Sequence, residues 1–330
     1  MTASRNLITD VAGVRVGHAD DRQLGSGTTV VLFDQPAIAA ADVGGGGPGT
    51  RESTLLDLAA TVERIDAVAL SGGSAFGLDA ASGVQAWLRE HGRGFVVREA
   101  VVPIVPGAVL FDLLNGGDKN WGRYPPYREF GYAAANAAAQ DFQLGSVGAG
   151  LGATTVDLKG GIGSASVQTR DGSTVGALAV VNAVGSAVIG GGPHFWAAPF
   201  ERDKEFGGLG SPVKVDAKAL AYRGKGQVSE NTTLVVVATD ATLTKPQCQR
   251  LAVMAQDGFA RALRPVHTPL DGDMVFAAAT CAKKAPADWS ALAELGTSAA
   301  DAVARAIARG VFSATATSAL PAWRDKFSAR

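Results

Sequence analysis

Glycine fills 42 of the 330 positions, close to twice its usual share of roughly 7%. A backbone with so many residues lacking Cβ must turn often or pass other backbones at short range. Three clusters stand out, at residues 44–49, 72–77 and 160–163. None has GxxxxGK[ST] or GxGxxG spacing, so they read as tight turns rather than nucleotide loops. Ser74 misses the GxSxG elbow because Phe76 holds its last glycine position.

With 47% apolar and 18% charged residues, a chain of this length can bury a full core as one large domain or two. Thirty Lys and Arg oppose 31 Asp and Glu. That balance excludes a strongly basic nucleic-acid binder and gives no attraction to an anionic membrane. No run approaches about 18 uninterrupted apolar residues, and residues 1–7 turn polar without a signal-peptide core. Cys248 and Cys281 form neither a disulfide framework nor a CxxC pair, which suits a reducing compartment. A cytoplasmic protein is expected, with no nucleic-acid or membrane partner. His18, His91, His194 and His267 have no HxxxH or HExxH spacing. Neither metal nor cofactor is expected, and each histidine reads as a surface or satisfied core residue.

Short β-rich runs at residues 14–16, 28–33 and 37–43 precede the first glycine cluster. Helical spacing follows over 54–64, a buried strand over 67–70 and a helix over 78–90 that stops at Gly92. Residues 95–97 and 101–114 read as strands, edge or bent because Pro103 and Pro106 lie inside them. A helix is expected over 127–140, then antiparallel strands between 158 and 189. Residues 190–228, rich in glycine and mixed charge, read as a long, partly mobile connector. The last block predicts a strand over 232–239, a helix over 245–263 capped by Thr244, a strand over 274–279 and a helix over 289–309. Grouped strands with helices before and after them predict an α+β fold, two sheets stacked between helices.

The segment Glu230-Asn-Thr-Thr-Leu-Val-Val-Val-Ala-Thr-Asp reads first as a buried strand entered from a loop. It also has what self-cleavage needs. A hydroxyl at the junction of a connector and a rigid strand can attack the carbonyl before it, here that of Asn231, and hydrolysis of the ester leaves Thr232 as an N-terminus. An α-amine with a pKa of about 7.7–8.0 can then take the hydroxyl proton. Thr233 offers the same chemistry, but alternate strand residues face opposite sides, so one of the two serves a given site. Pro269-Leu-Asp-Gly-Asp-Met-Val-Phe is a turn leading into a strand. Its Asp271 and Asp273, two apart, can also lie on one side of an extended segment and hold an amine. On their own, Lys159 reads as a turn lysine and Asn182 as the end of a strand.

Together these segments resemble the self-processing N-terminal-nucleophile hydrolases of the L-aminopeptidase/D-esterase family, peptidase family S58, which includes β-aminopeptidases and nylon-oligomer hydrolases. The landmarks are Asp10-Val-Ala-Gly-Val-Arg-Val-Gly-His, Leu70-Ser-Gly-Gly-Ser-Ala-Phe-Gly-Leu, Pro103-Ile-Val-Pro-Gly-Ala-Val-Leu-Phe-Asp, Lys159-Gly-Gly-Ile-Gly, Val181-Asn182, Asn231-Thr232-Thr233 and Asp271-Gly-Asp273. Their order spans nearly the whole chain. The resemblance implies a four-layer αββα sandwich, one domain over 1–330, and cleavage between Asn231 and Thr232 into an α fragment (1–231) and a β fragment (232–330) that stay associated. It implies catalytic roles for five residues: Thr232 as nucleophile, Asn182 as oxyanion donor, Lys159 near the nucleophile, and Asp271 with Asp273 orienting it. Phe111, at the substrate-binding position, stands where other members carry a tyrosine, so a phenolic hydrogen bond is missing. Thr232 and Asp271 in place of serines look most like the nylon-oligomer hydrolase branch.

The expected activity is that of an amidohydrolase on short peptides or ω-amino-acid amides, in a homo-oligomer that is commonly a tetramer of αβ units. Two alternatives stand beside it: an acyltransferase of the ornithine acetyltransferase type, and a non-catalytic scaffold or small-molecule-binding protein that never cleaves.

Overall fold

The computed structural model describes residues 4–225, 231–283, 289–316 and 320–327. The strands in chain order are β1 (Val14–Asp21), β2 (Ser26–Val43), β3 (Gly49–Arg51), β4 (Arg64–Ser71), β5 (Phe95–Val97), β6 (Ala100–Val102) and β7 (Gly107–Val109). After them come β8 (Ile162–Gln168), β9 (Thr174–Asn182), β10 (Thr232–Thr239) and β11 (Met274–Ala279). The helices are α1 (Ala80–Glu90), α2 (Tyr127–Asn136), α3 (Lys245–Ala255), α4 (Asp257–Ala262), α5 (Trp289–Phe312) and α6 (Trp323–Phe327).

Hydrogen bonding runs without a break through β3-β7-β4-β2-β11-β10-β9-β8, with β1 also on β2 and β5-β6 as a separate hairpin. The chain still forms four layers, because β2 passes from one leaf to the other. Its inward residues Val31, Phe33, Ala37 and Ala39 join the core between the leaves. Its outward residues change partner, Val30 and Leu32 packing beneath α1 and α2 and Ile38 and Ala40 beneath α3 and α5. The register shifts between Leu32 and Ala37, where Pro36, having no N–H to give the ladder, is tolerated. Period-two alternation does the same sorting in β10: Leu234, Val236 and Ala238 face the inner core, while Val235 and Val237 face the helices.

Close backbone approach accounts for several of the glycines. A Cβ on Gly163 would lie 1.8 Å from the Ala306 carbonyl oxygen of α5, and one on Gly83 1.8 Å from that of Arg128. Larger residues there would push the helices off their layers.

Local pattern fails where distant groups intervene. Residues 54–64 form a 3-10 turn (Ser53–Leu56) rather than a helix. The Lys245 ammonium, from α3, takes the carbonyls of Leu55, Ala60 and Val62 at 3.1, 3.1 and 2.9 Å, and helical geometry would need such acceptors for itself. The expected strand over 101–114 is divided by its prolines into β6 and β7. Only isolated bridges, Ser186 to Arg264 and Val188 to Phe195, replace the strand expected near 184–189. The helix over 245–263 becomes α3 and α4, and it begins where the threonine cap was expected, Thr244 accepting from the Gln247 N–H.

The connector is irregular, with 3-10 turns at Ala198–Phe200 and Ala217–Leu220, yet Phe195 and Phe206 are buried in the helix-side core. Residues 226–228 of the expected connector lie outside the described residues.

Candidate active site

Strand register brings the candidate residues together from distant parts of the sequence. Thr232 opens β10 and pairs across the antiparallel ladder with Asn182, the last residue of β9. On its other side β10 runs parallel to β11, Leu234 beside Met274, so the turn before β11 falls beside the residues before Leu234. Asn231 accordingly bridges Asp271.

Thr232 is buried. Its hydroxyl donates to the carbonyl oxygen of Asn231 at 2.5 Å, and the Gly272 N–H donates to the same oxygen at 2.9 Å. The peptide carbonyl preceding Thr232 is thus gripped by two donors. Asp273 Oδ1 accepts the Thr233 N–H at 2.7 Å, and its Oδ2 accepts the backbone N–H and ring Nδ1 of His267 at 3.1 and 3.0 Å. Asp271 accepts the Thr268 N–H at 2.8 Å. Burial, reinforced by the neighbouring charge of Asp273, raises the Asp271 carboxyl above the usual range. Neither carboxylate bonds to the Thr232 hydroxyl among the described residues; that of Asp273 meets the following residue instead, through the Thr233 N–H.

The first glycine cluster cradles this turn. Gly44 and Gly45 donate N–H to the Asp273 carbonyl at 2.9 and 3.1 Å, and Gly47 to that of Asp271 at 2.8 Å. A Cβ on Gly45 would lie 2.3 Å from the Asp271 carbonyl oxygen, which explains why this loop is glycine.

On the β9 side, Asn182 Nδ2 donates to the Phe111 carbonyl at 3.1 Å. Its Oδ1 accepts the Thr154 N–H at 3.0 Å and the Lys225 ammonium at 3.4 Å. Half-buried Phe111 therefore meets Asn182 through its main chain. Lys159 is fully buried and donates to the carbonyls of Gly150, Ala153 and Gly160 at 2.9, 2.5 and 2.8 Å. Burial pushes its pKa down to about 7; the charge of Asp112 opposes the shift and that of Lys225 adds to it. All three of its hydrogen bonds go to carbonyls, none to Thr232 or the acidic turn.

Three groups here escaped the sequence reading. His267 looked like one of four unrelated histidines, although it lies six residues before Asp273. Lys225 looked like one of several connector charges. Gly272 contributes a main-chain N–H, which no residue letter signals. Among the described residues no group of three or more His, Cys, Asp or Glu converges to hold a metal ion, and no helix is long and apolar enough to cross a membrane.

The sequence profile of peptidase family S58 matches residues 6–321. The chain belongs to peptidase family S58. Among S58 relatives, a Mycobacterium tuberculosis protein named as an uncharacterized aminopeptidase is 46% identical, covering 98% of each chain. The 6-aminohexanoate-oligomer endohydrolase of Paenarthrobacter ureafaciens is 29% identical over 84% of this chain and 76% of its own. Among solved structures, the L-aminopeptidase D-Ala-esterase/amidase of Ochrobactrum anthropi, described as a variant of the Ntn hydrolase fold, superposes with a TM-score of 0.69 at 22% identity, over 95% of this chain and 88% of that one. This S58 chain is an amidohydrolase of the aminopeptidase type, with the sandwich architecture of that fold.

Proposed function

We propose that this S58 chain matures by cleaving its own Asn231–Thr232 bond and then hydrolyses short peptides or ω-amino-acid amides through an acyl-enzyme on Thr232. The observation that carries the reading is the Asn231 carbonyl oxygen, held by the Gly272 N–H while the Thr232 hydroxyl lies against it. In self-cleavage Thr232 Oγ1 adds to the Asn231 carbonyl carbon and the Gly272 N–H receives the developing oxyanion. The C–N bond breaks, the nitrogen gains the hydroxyl proton, and an ester joins Asn231 to Thr232. Water then hydrolyses the ester, releasing the Asn231 carboxylate and restoring the Thr232 hydroxyl beside the α-amine that the shift had freed.

In the mature enzyme that amine serves as base when Thr232 Oγ1 attacks a substrate amide. Asn182 Nδ2, which donates to Phe111 in the intact chain, would donate to the substrate oxyanion, an interaction worth about 3–4 kcal/mol in such sites. Asp271 and Asp273 orient the nucleophile, Lys159 supplies buried charge nearby, and Phe111 bounds the substrate pocket. The resemblance in sequence to the oligomer endohydrolase supports ω-amino-acid amides among the substrates.

We infer a cytoplasmic homo-oligomer, commonly a tetramer of αβ units. The free cysteines Cys248 and Cys281 support the location. Support for assembly comes from the β5-β6 hairpin, which exposes Phe95, Val96, Val97 and Val102; light scattering on purified protein measures the assembly directly.

Denaturing mass spectrometry of fresh protein beside Thr232→Ala tests the central claim. Wild type is expected as two species, the smaller of 99 residues beginning at Thr232, and the variant as one. A single full-length species in both, stable over days, would sink the reading.

A further inference from the structure

Besides the main-chain grip of Gly272 on Asn231, one side chain of the acidic turn reaches the nucleophile's strand, Asp273 accepting the Thr233 N–H at Oδ1. The direction of that bond depends on how the carboxylate is turned. Its second oxygen is gripped twice by one residue, through the backbone N–H and ring Nδ1 of His267. A carboxylate only accepts, so the ring must carry its proton on Nδ1. The opposite ring nitrogen, Nε2, is buried with no hydrogen-bond partner among the described residues.

The chain goes out of its way to build this fork. His267 sits at φ +54°, in the left-handed region that disfavours residues with a Cβ. Gly44 leaves room for the ring, since a Cβ there would lie 2.7 Å from Nδ1. Phe259 packs on the ring, tilted, with centroids 5.0 Å apart. Strain at one residue, an omitted side chain at another and an aromatic support all serve one orientation of one imidazole.

We propose that His267 is a positioning residue for Thr232: its two N–H groups lock the Asp273 carboxylate so that the other oxygen fixes the Thr233 amide, and with it the approach of the Thr232 hydroxyl to the carbonyl it attacks. His267 touches neither the hydroxyl nor the scissile bond. The proposal rests on Thr232 being the nucleophile, and it deepens that reading by assigning what sets its aim.

Self-cleavage offers a readout that needs no substrate. Full-length wild type, His267→Ala, His267→Asn, His267→Asp and Thr232→Ala are followed by denaturing mass spectrometry, and each His267 change is also melted in the Thr232→Ala background. His267→Ala is expected to slow cleavage by about 10- to 100-fold, the scale of one hydrogen bond to a charged group. Asn tolerates left-handed φ and offers an N–H donor near Nδ1, so His267→Asn should cleave within about threefold of wild type. Asp has the same size and the same backbone tolerance but places a carboxylate against a carboxylate, so His267→Asp should be at least about tenfold slower than His267→Asn. That matched pair decides the matter if His267→Ala is recovered unfolded. Cleavage of His267→Ala at the wild-type rate, or equal rates for the Asn and Asp variants, overturns the proposal. So does a rate order that merely follows the melting temperatures. If wild type never cleaves, or Thr232→Ala does, the nucleophile reading falls and this one with it. With those two controls as expected, failure belongs to His267 alone.

Discussion

At the residue scale, Lys159 places three N–H donors against three buried carbonyls, so its charged form is satisfied locally yet desolvated. Its pKa falls to about 7 in the folded chain from an ordinary 10.5. Between those values the unfolded chain binds the proton that the folded chain has lost, so this residue's contribution to stability rises with pH across the window. Below about pH 7 the cost of the buried charge is present in full. Urea unfolding of the uncleaved Thr232→Ala chain at pH 7 and pH 10, with and without Lys159→Met, isolates the effect. The stability difference between the chain that keeps Lys159 and the one carrying Lys159→Met should shift in favour of lysine at the higher pH, and a difference that stays flat would contradict the burial argument. The residues legible in the sequence were those proposed to act through their side chains, such as Thr232 and the Asp271–Asp273 pair, which the fold does bring side by side. Gly272 was not, since a backbone N–H belongs to every non-proline residue and only the β10–β11 register aims this one at Asn231.

At the scale of elements, β10 and β11 belong to the 232–330 segment but lie between β9 and β2 of the 1–231 segment. Helix α5 covers β8 and β9 and is tied to the connector by Glu205, 2.5 Å from buried Arg305. Burial pushes the Glu205 carboxyl up, but hydrogen bonding and charge from Arg305, with Asn6 and Arg309, outweigh it and hold the pKa below its ordinary value. The clamp is therefore complete above about pH 4.5 and lost as pH falls through the lowered pKa. After cleavage the two fragments are expected to co-elute under native conditions and to separate only in denaturant. Glu205→Ala strands the Arg305 guanidinium without its anion and should destabilise the uncleaved Thr232→Ala chain by about 3–5 kcal/mol, measured by urea unfolding; a loss under about 1 kcal/mol would mean that water replaces the carboxylate. Such clamps also limit sequence reading. The spacing over 54–64 is helical, yet Lys245, far along the chain, claims its carbonyls. The connector's composition suggests looseness, yet its Phe195 and Phe206 are spent on the core.

At the scale of the whole molecule, the grouping of strands and helices made the layered class legible, because alternation and helical spacing record which faces are buried. The single ladder through both leaves was not legible, because residues 28–33 and 37–43 read as two strands and only the partners of β2 reveal that they are one. That strand fixes an order of events. Its second half waits for β11, whose residues follow it in the chain by more than two hundred positions. During synthesis, the place of β11 between β2 and β10 therefore stays empty until the last quarter of the polypeptide emerges, and Gly272, whose N–H holds the carbonyl of the proposed scissile bond, emerges with that quarter. A chain ended by a stop codon before residue 270 should remain uncut however long it is incubated, which mass spectrometry of the truncated product would check. With Thr232 as the self-cleaving nucleophile proposed above, a chain wired this way would proofread its own completion: a broken message would yield a silent precursor, and the nucleophile would be unmasked only in a molecule whose final strands have been delivered.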